Sequence, residues 1–310
     1  MTWNWSWAAL CALVLTTGEA AAQDGGIEVF AGETLFEKGL RVSFTELYKP
    51  KSKLYSGANE VANPEGQFND EYRSVLGVDY GFSRNLTLMA LVPYVHRDYK
   101  LSVAEAGGDL GDQSLDGFGD VTLMVKHRGY HVEGRGRTFN LAWLAGGGTP
   151  TGETDARLSN GDLAPPRMQP GLGSWNPFLS SAMTAGIDRW RFDAVIFNKV
   201  NTKGDQDYEK GNFFSASVSV GYRFLHYKYP GPTFGERLGG QYRHEQRAKL
   251  GGALQTNSGS EQVLLNPGLS IHPIPRMDLN IFTRIPVYQD YNGTQLSWDP
   301  QLVLAFGFRF

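Results

Sequence analysis

The 310-residue chain carries 29 Lys and Arg against 32 Asp and Glu, and its net charge of −3 gives no reason to expect a nucleic-acid partner. Its mean hydropathy is −0.33, and no stretch after the N-terminal region approaches the roughly 18 apolar residues that indicate a transmembrane helix. A membrane-spanning β-barrel remains compatible with this composition, because only alternate residues of its strands must be apolar.

Residues 1–22 have the pattern of a cleaved secretory signal peptide. Trp7 to Thr16 is mostly apolar, and Ala20 to Ala22 supplies the small residues of a cleavage site, although no Lys or Arg precedes the apolar run. The one cysteine, Cys11, lies inside this signal. The mature chain, which we predict to be a single domain over 23–310, therefore has no disulfide and no thiolate metal site. We expect no cofactor.

Residues 24–36 form a short periplasmic lead whose fold the sequence does not indicate. Alternating apolar residues and turn residues then predict about twelve strands. Their predicted bounds are Gly39–Tyr48, Glu71–Tyr80, Leu86–His96, Phe118–Arg128, Thr138–Gly146, Asn176–Ile187, Trp190–Lys199, Asn212–Phe224, Gln241–Gln255, Gln262–His272, Asp278–Val287 and Trp298–Phe310.

Three of these predicted strands have weak patterns, and the sixth, Asn176–Ile187, is one of them. The third is apolar on both faces and contains Pro93, which often marks a bulge in a strand. The ninth begins with a charged stretch, residues 241–249, that also suits a helical turn.

The predicted connections alternate in length, with one exception. Those after the odd-numbered strands are mostly long and polar, and those after the second, sixth and tenth strands are short. The connection 226–239, after the eighth strand, breaks this trend. Short periplasmic turns and long outer loops are typical of outer-membrane barrels. The sequence therefore predicts an all-β protein, a transmembrane antiparallel β-barrel with both termini in the periplasm.

The last predicted strand has the clearest pattern. Leu302, Leu304, Phe306, Phe308 and Phe310 occupy alternate positions. One face is therefore apolar up to the final residue, which resembles the terminal assembly signal of bacterial outer-membrane proteins. We predict that this strand contacts the barrel-assembly machinery and that the barrel exterior contacts membrane lipid and lipopolysaccharide. An amphipathic strand in a soluble sandwich is the alternative.

Three segments also resemble one family. They are Gly117–Asp120 before a strand, the glycine-rich approach from Gly259 to Pro267-Gly268-Leu269, and Arg284–Gly293, which reads RIPVYQDYNG. The family is the outer-membrane transporter group named after the meta-cleavage pathway of phenol degradation, and the resemblance covers most of the chain from about residue 35. It implies a barrel and the uptake of aromatic compounds. It carries no catalytic motif and does not specify the solute.

Charged residues on the non-lipid faces are the candidate pore lining, because an Arg facing lipid at the membrane midplane costs about 2–4 kcal/mol. One interpretation is a mixed-charge pore lining that selects solutes. The other is that these charges pair with one another and plug a narrow barrel. The candidates are Arg73, Asp79, Asp120, Lys126, Arg128, Arg191, Asp193, Arg223, Arg284 and Arg309.

Other residues suggest minor alternatives. Apolar residues on otherwise polar faces could form a conduit for aromatic solutes or simply pack against the wall: Met124, Val195 and Phe197. Aspartates in a Gly-rich stretch could bind a cation, but a solvated outer loop is the better interpretation: Asp109, Asp112, Asp116 and Asp120. Tryptophans are expected at the membrane interfaces: Trp143, Trp175, Trp190 and Trp298.

The predicted barrel is compatible with three functions. The favoured one is passive uptake of small solutes, hydrophobic or aromatic ones included, through a channel in the bacterial outer membrane. The second is a structural or adhesive barrel with a plugged lumen, which binds partners through outer loops such as 147–174. The third is a barrel hydrolase using Ser159-Asn160-Gly161, which lacks a neighbouring histidine in the sequence. We expect that the protein is not an enzyme.

Overall fold

The computed structural model describes residues 31–103, 108, 110–227 and 231–310. The predicted signal peptide lies outside the described residues. Across the described part of the chain, no helix combines the length and apolar character needed to cross a membrane.

Within these residues, twelve long antiparallel strands follow one another along the chain. They are β1 (Leu40–Lys49), β2 (Phe68–Ser83), β3 (Leu86–Lys100), β4 (Thr122–Gly134), β5 (Arg137–Gly148), β6 (Asn176–Ile187), β7 (Trp190–Lys199), β8 (Phe213–His226), β9 (Thr233–Glu245), β10 (Ser260–His272), β11 (Met277–Leu296) and β12 (Gln301–Arg309). Shorter elements lie in the connections: strands Leu54–Gly57, Asn59–Val61, Gln113–Phe118, Tyr208–Glu209, Lys249–Leu250 and Ala253–Leu254, and the 3-10 turn Asp205–Asp207.

The sheet closes on itself into a cylinder. Each long strand pairs with the next, and β1 pairs with both β2 and β12. In the closing pair, Arg41 lies opposite Arg309 and Tyr48 lies opposite Leu302. Closure leaves no strand edge exposed to lipid, which is the condition for a sheet to span a bilayer. The predicted fold class, an all-β barrel of about twelve strands, is confirmed.

Side chains alternate between the two sides of the wall with the period of two expected for strands. On β12, Leu304 is 40% exposed on the outside, whereas the neighbouring Val303 is fully buried inside. On β8, Val218 is 64% exposed, and the adjacent Ser217 is buried in the interior. An apolar exterior is the reverse of a soluble sandwich, whose apolar stripes face each other.

The predicted position of the ninth strand is wrong. The observed strand is β9, Thr233–Glu245, and the residues after it form an outer connection. Glu236 and Gly240 occupy outward positions on β9, so its apolar alternation is hidden in the sequence. The connection after β8 therefore shrinks to 227–232. The exception to the loop-length rule is instead the outer connection between β11 and β12, which spans only 297–300.

A β-bulge explains a second error, the predicted turn at 129–137. The register of β4 against β5 shifts between Arg128 and Tyr130, and β4 continues to Gly134. A bulge inserts one residue and reverses the parity of those that follow, so the strand continues where its sequence pattern fails. The predicted fourth strand also began too early, because residues 113–118 form a separate short strand paired with β3.

Pro93 marks the place where β3 changes partner. Up to Leu91, β3 pairs with β4, and from Tyr94 onward it pairs with the short strand Gln113–Phe118. Proline has no backbone N–H to donate to a ladder, so a break between two partners accommodates it.

The lipid-facing pattern predicts the effect of a charge on the exterior. Val218→Arg is expected to lower the free energy of unfolding by about 2–4 kcal/mol, because arginine at the membrane midplane is poorly solvated. Denaturant unfolding in lipid vesicles measures this change. Leu254→Arg, in an outer connection, is the matched control and is expected to leave stability unchanged; equal losses in both variants would contradict the assigned exterior.

Candidate functional site: the barrel interior and its outer vestibule

The chain segment before β1 lies inside the barrel. The Gly32 backbone N–H donates to Thr184 Oγ1 on β6 at 2.9 Å, and the Leu35 N–H donates to Thr87 Oγ1 on β3 at 3.0 Å. Between them, the Glu33 carboxylate accepts hydrogen bonds from both terminal nitrogens of Arg191 on β7, at 2.9 and 3.0 Å. Residues 31–35, the lumenal segment, are all buried and cross the interior between β7 and β3. Part of the predicted periplasmic lead, residues 31–35, therefore lies within the lumen.

Gly32 brings the lumenal segment directly against the backbone of the wall. A Cβ added to this glycine would lie 2.6 Å from the Asn140 carbonyl oxygen and 2.9 Å from the Thr184 backbone nitrogen. Real Cβ atoms do not approach backbone this closely, so glycine is required here. Lys126 adds a bond from its Nζ to the Glu33 carbonyl oxygen at 3.2 Å.

Buried ion pairs occupy the interior near the lumenal segment. Asp278 is fully buried and accepts from Arg41 Nη2 at 2.9 Å and from Arg309 Nη2 at 3.1 Å. Arg41 also contacts Asp79 through Nη1 at 3.2 Å. Charges removed from water must be compensated by partners of opposite sign, and each of these carboxylates contacts a guanidinium. The interpretation that interior charges pair with one another describes this region.

A cluster of apolar side chains lies farther along the same inner face. On β2, Val75 lies between Asp79 and Arg73, and on β7 the cluster residues lie between Asp193 and Lys199. The apolar cluster therefore separates two polar regions of the interior. Its members are Val75, Met89, Leu91, Met124, Leu144, Phe178, Ala182, Val195, Phe197 and Phe213. Met124, Val195 and Phe197, the candidates for an apolar conduit, are packed in this cluster.

The outer polar region surrounds a cavity of about 430 Å³, the outer vestibule, at the ends of the strands where the long loops begin. Among the described residues that line it, the cationic ones are Lys49, Lys51, Arg73, Arg97, Lys100, Arg167, Lys210 and Arg243. The carboxylates are Glu71, Asp120 and Glu245. Burial lowers the pKa of Lys51, in the connection after β1, to about 8, so this side chain is mainly charged at pH 7.

Glu71 is a buried carboxylate at the vestibule wall, and three cationic side chains surround it. Its carboxylate contacts Lys49 Nζ and Arg73 Nη2, both at 2.9 Å, and Arg97 Nη2 at 2.7 Å. Arg97 also donates through Nη1 to the carbonyl oxygens of Met168 at 2.7 Å and Gln169 at 3.0 Å. Three cations around one carboxylate leave a positive local balance, and Arg97 ties the 149–175 loop into the barrel mouth.

Asp120 holds the same outer loop by a different contact. Its carboxylate accepts backbone N–H bonds from Gly152 at 2.9 Å and from Leu172 at 2.8 Å. Met168 of this loop also belongs to a second apolar cluster, which includes the buried ring of Tyr99. The longest outer connection is therefore folded over the mouth by specific bonds.

Trp298 faces the vestibule, so its predicted place at the membrane interface is wrong. The Arg243 guanidinium lies 4.5 Å from the centre of the Trp298 ring and 4.5 Å from that of Phe213. The other tryptophans of that prediction are exposed on the protein surface: Trp143, Trp175 and Trp190. The sequence misassigned Trp298 because it lies in the short connection before β12, where strand parity does not apply.

Most of the predicted pore-lining residues are buried in the barrel interior: Arg73, Asp79, Asp120, Lys126, Asp193, Arg284 and Arg309. The others are partly buried: Arg128, Arg191 and Arg223. Arg128 donates to Asn85 and to the Arg84 carbonyl oxygen in the turn after β2, which puts it at the periplasmic rim. That these residues line a solute path remains a prediction.

Four vestibule residues were missed from the sequence, for identifiable reasons. Glu71 lies on the same strand face as Arg73, but it is the first residue of its predicted strand. Arg97 follows the predicted end of the third strand by one residue, and Arg243 lay in the misplaced ninth strand. Lys49 likewise lies one residue beyond the first predicted strand. Extending the first and third predicted strands by one residue would have found two of the four, Lys49 and Arg97.

The aspartates of the Gly-rich stretch make separate contacts and do not form one cluster among the described residues. Asp116 accepts a hydrogen bond from the Tyr94 hydroxyl at 2.5 Å, Asp120 serves the outer loop, and Asp109 lies outside the described residues. Within the described ranges, no group of three or more His, Cys, Asp or Glu side chains is arranged to hold a metal ion.

The Ser159-Asn160-Gly161 tripeptide forms a turn in the outer loop. Asn160 Nδ2 donates to Asp162 at 2.7 Å, and the Ser159 backbone N–H donates to Gln113 Oε1 at 2.8 Å. These contacts give the tripeptide a structural role in the loop.

A closed cylinder of twelve strands, with an apolar exterior and buried charges inside, defines a transmembrane β-barrel of the bacterial outer-membrane type. The family model described as "Putative MetA-pathway of phenol degradation" matches residues 57–306. The chain belongs to this family, and the resemblance seen in its sequence motifs is confirmed.

A solved channel structure shares the fold, and two other solved structures are weaker matches. The COG4313 outer membrane channel from Pseudomonas putida F1 is 17% identical with a TM-score of 0.69, and the match covers 94% of this chain and 100% of that one. The β domain of the Bordetella autotransporter BrkA is 11% identical (TM-score 0.46; 88% and 100% covered). The Ralstonia pickettii toluene transporter TbuX is 11% identical (TM-score 0.40; 89% and 90% covered). A comparison with curated protein sequences finds no match.

The buried ion pairs predict a large effect of removing one carboxylate. Asp278→Asn leaves Arg41 and Arg309 without their shared counter-charge, and we expect the free energy of unfolding to fall by about 3–5 kcal/mol. Denaturant unfolding in vesicles measures the loss. Glu60→Gln, which breaks the exposed pair with Lys53, is the control and is expected to change little; a neutral Asp278→Asn would contradict the role of this pair.

Proposed function

We propose that this protein is an outer-membrane channel for the passive entry of small solutes. The observation that carries the proposal is the polar vestibule inside a closed barrel whose outer wall is apolar. A barrel that served only as an anchor for adhesive loops would have no need of a cationic cavity at its mouth. The outer loop favours the same function, because its bonds to Arg97 and Asp120 fold it into the mouth.

We further propose that the solutes include aromatic compounds, as the family description implies. The similar Pseudomonas putida protein is described as a channel, which supports transport in preference to catalysis. The site of action is proposed to be the bacterial outer membrane, where the apolar exterior contacts lipid and lipopolysaccharide.

The direct test is electrical. Purified protein reconstituted into planar bilayers is expected to give discrete conductance steps, and deletion of its gene is expected to slow uptake of small aromatic solutes. A protein that gives neither conductance nor an uptake defect would contradict the channel and favour the adhesive barrel.

The lumenal segment predicts a variant with higher conductance. Glu33→Gln removes the charge that holds this segment to Arg191, and we expect mean conductance to rise by at least about twofold as the segment leaves the lumen more often. Planar-bilayer recording measures the change. Glu37→Gln is the matched control, since this exposed carboxylate lies 3.8 Å from exposed Arg84; unchanged conductance in Glu33→Gln would mean that the segment does not obstruct the path.

We propose that Phe306, Phe308 and Phe310 form the signal read by the barrel-assembly machinery. Phe310 is 60% exposed, its ring lies 4.8 Å from that of Phe308, and its backbone N–H donates to the Leu40 carbonyl oxygen at 2.8 Å.

Phe310→Ala is therefore expected to lower the amount of assembled barrel in cells, measured as the heat-modifiable band on semi-native gels. Refolding of the purified variant into detergent should stay near normal, because the closing bonds of β12 are made by backbone. Normal assembly in cells would contradict the signal, and Phe36→Ala, another exposed ring, is the control.

A further inference from the structure

The outer vestibule has a surplus of positive charge. Eight of the described residues that line it are Lys or Arg, whereas three are carboxylates. Of these three, Asp120 is engaged by two backbone N–H groups, and Glu71 is surrounded by Lys49, Arg73 and Arg97. A concave site with one sign of charge and low-dielectric walls concentrates ions of the opposite sign. The vestibule therefore favours an anion.

Aromatic rings lie among these cations. The Trp298 ring has three cations within 6 Å of its centre: Arg243 at 4.5 Å, Arg284 at 5.7 Å and Lys49 at 5.9 Å. Tyr208 and Tyr291 also line the cavity. Guanidinium groups bind carboxylates with two parallel hydrogen bonds, and flat ring faces pack against aromatic ligands. Both kinds of partner are present in one cavity.

The cavity has the size and the fixed walls of a binding site. Its volume of about 430 Å³ falls in the range of about 300–1,000 Å³ typical of small-molecule pockets. Arg97 is held by the carbonyl oxygens of Met168 and Gln169, so the loop wall and the barrel wall are joined before a ligand arrives. A preformed site avoids the entropy cost of ordering its side chains on binding.

We propose that the outer vestibule is a binding site for a small aromatic carboxylate, held by the cations around Arg243 and Trp298. This inference rests on the proposed channel function and narrows its solutes to organic acids. The carboxylate would contact the guanidinium and ammonium groups, and the ring would pack among Trp298 and the two tyrosines. Binding here precedes passage through the apolar cluster.

Isothermal titration calorimetry of the full-length mature protein in detergent tests the proposal, with benzoate as the probe. Benzamide is the matched neutral compound, because it keeps the ring and size but lacks the charge. We expect benzamide to bind at least about tenfold more weakly, the loss associated with one charge-assisted hydrogen bond. Inorganic phosphate tests whether the ring is needed, and we expect it also to bind more weakly than benzoate.

Variants locate the site. Arg243→Gln is expected to weaken benzoate binding by about tenfold or more. Because Arg243 is buried and its loss could disturb folding, the double variant Lys51→Gln and Lys100→Gln changes two partly exposed vestibule cations instead. We expect it to weaken benzoate binding by several fold while the heat-modifiable band is unchanged. Arg189→Gln, in the exposed turn before β7, is the control and is expected to bind benzoate normally.

The outcomes separate this inference from the channel itself. Equal binding of benzoate and benzamide, equal binding of benzoate and phosphate, or unchanged binding in the vestibule variants would overturn the aromatic-carboxylate site. Planar-bilayer conductance with no benzoate binding would leave the channel standing and reject this site. Benzoate binding that is weakened in the vestibule variants, in a protein with neither conductance nor an uptake defect, would support the site and reject the channel.

Discussion

The pairing of β1 with β12 is the contact on which the rest of the structure depends. A sheet in lipid cannot leave backbone N–H and C=O groups without partners, since each such group costs several kcal/mol there. The closing pair meets this condition along Arg41 to Tyr48, and the bond from Phe310 to Leu40 completes it at the last residue. Once the wall is closed, every second side chain must point into an enclosed space. The interior chemistry of this protein follows from that enclosure.

Enclosure determines how the interior charges are arranged. Near the lumenal segment, carboxylates and guanidinium groups occur in close contact, and Asp278 is shared between two arginines. At the outer end, where the cavity lies, cations outnumber carboxylates. The apolar cluster lies between these regions on several strands. From the outer mouth inward, the interior therefore presents positive charge and aromatic rings first, then an apolar packing layer, and then a region of neutralised charge.

Parity along the strands was predictable from sequence, and the features that interrupt parity were not. The alternation on β7 predicted its bounds to the residue, because a period of two is a local property of the chain. The bounds of β6 are also confirmed, although its own pattern is weak and its end was marked by the turn Asp188-Arg189. The bulge after Arg128 and the outward Glu236 on β9 erase that local signal. The place of Trp298 and the entry of Glu33 into the lumen depend on closure of the whole cylinder. The local sequence carries no signal of such long-range contacts. Of the charged residues that line the vestibule, the sequence therefore predicted only Arg73 and Asp120.

The close seat of Gly32 has a mechanical consequence. The Gly32 backbone packs against the backbone of Asn140 and Thr184 so closely that a side chain at this position would not fit. Its neighbours in the chain are Ala31 and Glu33. Shifting the lumenal segment by one residue in either direction would place the methyl group of Ala31 or the side chain of Glu33 against this backbone. The lumenal segment therefore fits the wall in one register. If this segment obstructs the solute path, we expect conductance to switch between discrete levels instead of varying continuously.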